Sequence, residues 1–238
     1  AGEVVGVAGL LGSGRTETAR LMFGIDLPDS GGVTIDGKPV RIASPRDAVR
    51  LGFGLCPEDR KLDGIVGDLS VRENIALALQ ARRGWLNRMS SREQTELADR
   101  FVKALDIRTT DIEKPVKLLS GGNQQKVILG RWLSEQGVKV LIVDEPTRGI
   151  DVGAKSEIYE LLYQLAEGGM AIVVVSSELP EVMGICDRMI VMCAGRIRAE
   201  LPRAAFSENT ILAAALPDIA TPATVALPGI ATTATIAS

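Results

Sequence analysis

The stretch Leu119-Ser120-Gly121-Gly122-Asn123-Gln124-Gln125-Lys126, followed shortly by Val140-Leu141-Ile142-Val143-Asp144-Glu145-Pro146-Thr147, decides how this chain folds. In the second run four apolar, mostly β-branched residues end in two carboxylates. This is the pattern of a buried parallel strand that delivers acids at its carboxyl end, where open α/β sheets bind ligands. Asp144 is placed to hold Mg²⁺ through water, and Glu145 to polarise an attacking water. In the first run Ser120-Gly121-Gly122 precedes a helical pattern, so free backbone N–H groups gather at a helix start and make an anion site. The plainer reading, a helix start capped by Ser120, accounts for the serine but not for two glycines with three amides after them.

A third element stands near the amino end. Val4 to Ala8 reads as a short buried strand, and Gly9-Leu10-Leu11-Gly12-Ser13-Gly14-Arg15-Thr16 follows with the spacing G-x-x-x-x-G-[K]-[ST], arginine standing where lysine is expected. Gly9, Gly12, Ser13 and Gly14 let the backbone wrap a phosphate. The helix after Gly14 points its N-terminus at the anion, and Thr16 offers a hydroxyl to Mg²⁺.

These three elements, with the loop Gly149-Ile150-Asp151, stand in the order found in nucleotide-binding domains of ATP-binding-cassette transporters, and the chain resembles that family over roughly Ala1 to Ala205. The wording Pro57-Glu58-Asp59-Arg60-Lys61, Pro146-Thr147-Arg148-Gly149-Ile150-Asp151-Val152-Gly153-Ala154-Lys155 and Ser176-Ser177-Glu178-Leu179-Pro180-Glu181-Val182 is similar to the second half of tandem monosaccharide-importer ATPases. Ala78 to Leu86 is most similar to the galactofuranose branch. The resemblance implies an α/β P-loop NTPase fold, a cassette-type ATPase lobe with a mostly parallel sheet plus a helical subdomain.

It also implies ATP and Mg²⁺ as cofactors. Gly9, Gly12, Ser13, Gly14, Arg15, Thr16 and Glu58 bind the nucleotide, Thr16 and Asp144 hold the metal, Glu145 acts as catalytic base, and Ser177 takes the switch position. Ser120, Gly121, Gly122, Gln124 and Asp151 complete a partner's site in trans. The partners implied are a first nucleotide-binding half or dimer mate, transmembrane permease subunits and, indirectly, a periplasmic sugar-binding protein. The location implied is the cytoplasmic face of the inner membrane.

Three positions depart from the family pattern. Arg15 puts a bulky planar guanidinium where a compact ammonium is usual. Glu58 replaces a neutral glutamine, setting a negative charge beside phosphate unless Mg²⁺ or Arg60 compensates it; a helix cap or plain loop acid is its other reading. Ser177 replaces a histidine, and a short neutral hydroxyl cannot stabilise developing charge as imidazole can. Ser176-Ser177 as a cap for the helix starting near Glu178 is the simpler account of that pair. The chain's own phosphate loop is therefore expected to form a degenerate site, and a catalytically silent nucleotide-sensing scaffold is the alternative reading.

Composition agrees with this class. The 238 residues suffice for one large α/β domain with a substantial core. A net charge of −3 leaves no basic stripe for nucleic acid, and without heptad repeats or basic inserts the cassette ATPases that work on DNA or ribosomes are a poor match. Cys56, Cys186 and Cys193, odd in number and without metal spacing, read as reduced core thiols of a cytosolic chain. No apolar run approaches the roughly 18 residues of a membrane span. The chain opens directly on the phosphate-loop strand, so it is expected to be a fragment cut inside its domain, with an unpaired sheet edge.

Residues 1–215 read as one nucleotide-binding domain with a helical insert at about 70–118. A helix over Thr16 to Phe23, a hairpin turned at Asp36-Gly37, a short helix from Ser44-Pro45, a strand at Phe53 to Cys56 and a closing hairpin turned at Ala194-Gly195 are expected. The remainder, 216–238, is an Ala/Thr/Pro tail with a near-repeat, read as a flexible extension ahead of a small strand-forming appendage.

Overall fold

The computed structural model describes residues 2–35, 37–84, 86–134, 137–217 and 233–236. Its main body is a six-stranded sheet. Strands β1 (Val4–Gly9), β4 (Phe53–Cys56), β5 (Val140–Asp144), β6 (Ala171–Val175), β7 (Arg188–Cys193) and β8 (Arg196–Pro202) stand in the order β4-β5-β6-β1-β7-β8. The first five run parallel, and β8 is antiparallel to β7. This is a mostly parallel α/β architecture, as expected from the sequence, reached by the alternation of apolar β-branched strands with helices. All five residues of β5 and all four of β4 are buried, as strands covered on both faces must be.

Register fixes where the chemistry lies. Val7 pairs with Val175 and Val175 with Asp144, while Val143 pairs with Cys56. Because the strands are parallel, the residues that leave them all emerge at one sheet edge: the loop after Gly9, Glu145, Ser176-Ser177 and Glu58. The β7–β8 hairpin turns through Ala194 and Gly195 at φ 49° and 73°, the mirror-image turn that a two-residue hairpin favours.

Helix α1 (Arg15–Phe23) follows the first loop, and α2 (Pro45–Arg50) starts with Ser44 accepting from the Asp47 N–H. The insert carries α3 (Val71–Arg83) and α4 (Ser91–Ala104). Each begins with a reciprocal capping box, Ser70 with Glu73 and Ser90 with Glu93. A π-helical turn at Arg60–Gly64 leads into it. Next come α5 (Gly121–Leu133), α6 (Val152–Glu167), α7 (Leu179–Ile185) and α8 (Glu208–Ala215). Helix α8, which the sequence reading does not include, buries Ile211 and Ala215 beside β1 and β7.

Helix α5 joins insert to sheet. Ile128 and Leu129 are fully buried, Trp132 meets Phe23 edge-on at 5.7 Å, and the Trp132 indole N–H donates to the Leu55 carbonyl at 2.7 Å. Arg131 is buried on the same helix and donates to the carbonyls of Asn74 and Gly64 and to Asn74 Oδ1, at 2.9, 2.6 and 2.9 Å. Burial pulls its pKa down to about 10, so it acts as a clasp tying α3 and the π-helical turn to the signature helix.

A second sheet has the order β3-β2-β9, with β2 (Gly32–Ile35) antiparallel to β3 (Lys38–Val40). The backbone of β9 (Thr233–Ile236) runs parallel along β2, so these four residues take the strand-forming option of the two that the tail composition leaves. A strand edge with unpaired N–H and C=O groups accepts any extended segment in register, which is the physical reason. Residues 218–232, 237 and 238, where the rest of the expected flexible extension falls, lie outside the described residues.

Candidate nucleotide site and signature face

Gly14 precedes α1 at φ 94°, a conformation that costs glycine little, and no side chain caps the helix, so its first N–H groups face the loop interior. Ser13 Oγ is buried with no partner, an orphaned group inside an anion-binding loop. Arg15 does not reach outward. It is 6 % exposed, its Nη1 donates to the carbonyl of Gly9 and, at 3.1 Å, to that of Ser176, and its Nη2 lies 3.7 Å from Glu145 Oε1. The guanidinium is therefore turned inward, bonded to one carbonyl of the loop, that of Gly9, and to one from the turn after β6.

Asp144 ends β5 at 3 % exposure, and its Oδ1 has no hydrogen-bond partner. Burial pushes its pKa up to about 7; the Thr16 hydroxyl pulls it down, while Glu58 and Glu145 add like-charge repulsion and Arg15 opposes them. An orphaned, desolvated carboxylate beside a threonine hydroxyl is the donor set a hard cation takes, and Mg²⁺ fits it. Among the described residues no group of three or more His, Cys, Asp or Glu side chains is placed to hold a metal ion.

Glu145 turns through φ 47°, its N–H donating to the Val175 carbonyl at 2.7 Å. That left-handed step is costly for a non-glycine residue and swings the carboxylate sideways, where Oε1 accepts the Ser177 N–H at 2.8 Å. Ser177 thus engages Glu145 through its backbone. Ser176 Oγ accepts from the Glu178 N–H at 3.0 Å, so of the pair it is Ser176 that supports the start of α7.

Glu58 meets Thr16 through Oε2 at 3.4 Å and forms an ion pair through Oε1 with Arg148. Of the two compensating charges the sequence offers, Mg²⁺ or Arg60, the second is corrected: the cation on Glu58 is Arg148. Arg60 instead donates to the carbonyls of Arg148 and, at 3.1 Å, Gly149, because it leaves the π-helical turn toward the loop after Glu145. Sequence reasoning also missed Glu181, buried on α7, which accepts from Thr147 Oγ1 at 2.9 Å and from Ser176 Oγ. An acid at a core position of a short helix is its only signal in the sequence. Burial raises its pKa.

The signature run lies elsewhere. Ser120 makes no cap bond; its Oγ accepts from Asn123 Nδ2 at 2.9 Å, leaving the start of α5 without a side-chain cap. A Cβ on Gly121 would sit 2.6 Å from Arg60 Nη2 and 3.1 Å from the Gly149 carbonyl, and one on Gly122 would sit 2.8 Å from Ala154 Cβ. The glycines are thus required by close packing as well as by open amides. A cavity of about 180 Å³ opens here, lined by Ser120, Gly122, Asn123 and Asp151 among others, with no residue of Gly9–Thr16 in its wall.

Gln124, expected to face a partner, does not. It is 3 % exposed and its amide donates to the carbonyls of Val116, Lys117 and Leu119, because the helical phase turns it into the body. Lys126 is also structural, holding Glu157 at 2.8 Å and the Asp106 carbonyl at 3.0 Å. Cys56 and Cys186 are core thiols whose pKa burial pushes up to about 12.

A parallel sheet carrying a phosphate loop, an acid-tipped strand and a glycine-led signature helix on a helical insert defines an ATP-binding cassette. The ABC transporter family model matches residues 1–148, and the chain belongs to that family. It is 59 % identical over 217 residues to the arabinose import ATP-binding protein AraG of Rhizobium johnstonii, covering 91 % of this chain and 43 % of that protein. To the galactofuranose transporter ATP-binding protein YtfR of Escherichia coli K12 it is 56 % identical over 211 residues, covering 89 % and 42 %. The chain therefore spans less than half the length of these curated relatives. Among solved structures, the ATP-binding cassette MJ0796 in a dimeric post-hydrolysis state bound to ADP and Pi superposes with a TM-score of 0.73, at 25 % identity over 86 % of this chain and 87 % of that one. A nucleotide-free cassette from an ABC transporter gives 0.75 at 20 % identity, over 91 % and 89 %, a likeness of fold.

Proposed function

We propose that this chain is the second nucleotide-binding half of a bacterial monosaccharide ABC importer, an ATPase whose stronger contribution is made in trans. The observation that carries the reading is the signature cavity: its amides, Ser120 and Asp151 are open to an incoming ligand, and no part of the chain's own phosphate loop lines it. Two such surfaces must meet around a triphosphate. The arabinose and galactofuranose importer relatives support a sugar as cargo, and import implies permease subunits at the cytoplasmic face of the membrane. No helix among the described residues is long and apolar enough to cross a membrane, so attachment runs through those subunits.

In this reading the reaction is phosphoryl transfer from ATP to water. Thr16 and Asp144 would hold Mg²⁺, which when bound would supply charge neutralisation at the phosphates. Glu145, held by the Ser177 amide, orients the attacking water. Gly9 to Gly14 wrap the phosphates of the chain's own nucleotide, but Arg15 occupies the loop centre and Ser177 provides no imidazole, so this site turns over slowly. The exposed Lys61, on the turn leading into the insert, is the better probe of coupling to permease, because Arg60 is committed to the loop after Glu145.

The silent-scaffold reading has Arg15 in its favour, and one experiment separates the two. Mg²⁺-ATP turnover is measured for the chain alone and for the same chain joined to a first nucleotide-binding half. Turnover that appears only on joining, and disappears when Gly121 is replaced, supports the proposal. Full-rate turnover by the isolated chain contradicts the degenerate site, and turnover of the joined protein indifferent to Gly121 contradicts the contribution in trans.

A further inference from the structure

The carboxylate of Glu58 poses a problem of charge. It stands at the carboxyl edge of the sheet, 3.4 Å from the Thr16 hydroxyl and close enough to Asp144 to raise its pKa, on the wall of a site proposed to take a polyanion. Like charges this close repel, and more strongly at a partly shielded surface than in open water, so an uncompensated carboxylate there would repel a triphosphate. Its other oxygen is held by Arg148 Nη1.

Arg148 is delivered there by construction. Its own N–H donates to the Glu145 carbonyl at 3.2 Å, Ile150 N–H donates to the Thr147 carbonyl at 3.1 Å, and Thr147 is anchored on Glu181. Arg60, two residues beyond Glu58, grips the Arg148 and Gly149 carbonyls. The segments Glu58–Arg60 and Arg148–Gly149 therefore clasp each other twice, once by charge and once through backbone, which sets the guanidinium on the carboxylate.

Resting on the nucleotide-binding reading above, we infer that Arg148 is a positioning residue whose work is to neutralise Glu58, so that a carboxylate can line the phosphate site without repelling nucleotide. A merely structural role for Arg148 would act whatever residue stands at 58. The charge role exists only while residue 58 is a carboxylate, and a double-mutant cycle separates the two.

The test is the affinity of the whole chain for Mg²⁺ with a non-hydrolysable ATP analogue, measured by calorimetry at low and high salt. The variants are Arg148→Ala, Arg148→Lys, Glu58→Gln and the pair Glu58→Gln/Arg148→Ala, with thermal midpoints checking folding. Arg148→Ala is expected to weaken binding about tenfold at low salt and less at high salt, and Arg148→Lys to keep most of the affinity. The double variant is expected to bind within about twofold of Glu58→Gln, because the charge that needed cancelling is gone. An equal loss from Arg148→Ala in both backgrounds, or no loss in either, overturns the inference while the nucleotide site stands. A wild-type chain that binds no Mg²⁺-nucleotide overturns the site itself.

Discussion

The phosphate loop and the signature helix start are both glycine-led anion sites, yet they are built in opposite ways. In the first, Arg15 lies within the loop, bonded to Gly9 and Ser176 and facing Glu145, so a ligand must displace or share a cation already in use. In the second, Ser120 is withdrawn onto Asn123, the helix start has no side-chain cap, and a cavity stands in front of it. One surface already holds a cation of its own, though Ser13 Oγ stays unpartnered there, and the other has an uncapped helix start facing a cavity. A helix start with unpaired N–H groups facing a cavity is an anion site, and this is the feature on which the proposed contribution in trans rests.

The largest expected effect falls on the open surface. Gly121→Ala puts a methyl 3.1 Å from the Gly149 carbonyl, in the loop leading to Asp151, and 2.6 Å from Nη2 of Arg60, the side chain that grips that carbonyl. Losing a preorganised donor of this kind costs about 10²- to 10³-fold in turnover. ATPase assay of the chain joined to a first half should show that loss, while nucleotide affinity of the isolated chain changes little. Loss of affinity in the isolated chain would mean that the two surfaces are not separable. The second effect falls on the filled surface. Arg15→Lys exchanges a guanidinium that spans the loop for a compact ammonium, and affinity for Mg²⁺-ATP should rise by about tenfold, one added charged contact. Titration calorimetry that shows no gain would mean that Arg15 already serves the phosphates.

The sequence made the fold legible because its signals are local. Strand β6 and the Ala194-Gly195 turn follow from β-branched runs and a glycine in a two-residue hairpin, and α2 from Ser44-Pro45. Helices α5 and α6 start at Gly121 and Val152, three and four residues before the Gln124 and Ser156 that their apolar periodicity suggests; the Asp151 side chain caps α6, whereas α5 begins on its glycines with no side-chain cap. Asp144, Glu145 and Thr16 were legible for the same reason, each being fixed by a strand end or a loop. Partners far apart in sequence were not. Nothing local tells that Arg148 finds Glu58, or that Gln124 turns inward to hold three carbonyls. Those outcomes depend on the phase of α5 and on which loops meet at the sheet edge, and both are set only when the domain closes.

Asp144 sharpens the comparison on the filled side through pH. Its folded pKa is raised to about 7 from an unfolded value of about 3.9, so the folded protein holds this proton more tightly than the unfolded chain. The stabilising contribution is complete below pH 4 and is lost as pH rises toward 7. Asp144→Asn removes that loss, and the thermal midpoint of the ligand-free chain at pH 8 should rise by about 5 °C, with little change at pH 4. The same variant should lose the help that Mg²⁺ gives to nucleotide binding. In the wild type that help should fade below pH 7, since the metal must compete with a proton. A midpoint lowered at pH 8 would show that the carboxylate is already paired in the folded protein, contrary to its orphaned Oδ1.

The smallest effect tests what the two surfaces share. Glu181 accepts from Thr147, at the root of the loop that runs through Arg148 to Asp151, and from Ser176, at the root of the turn that gives Ser177 to Glu145. It therefore stands beneath both the open and the filled surface. Burial raises its pKa above the usual carboxylate range, so its stabilising contribution is full below that range and falls as pH rises through the raised value. Glu181→Gln keeps an acceptor for Thr147 and an amide that Ser176 Oγ can accept. It should flatten the pH dependence of the thermal midpoint above the usual carboxylate range by about 2 °C. Because the support is common, isolated-chain nucleotide affinity and joined-protein turnover should shift together and by less than about twofold. A change in one without the other would show that Glu181 serves a single surface, and that the filled and open halves are held independently.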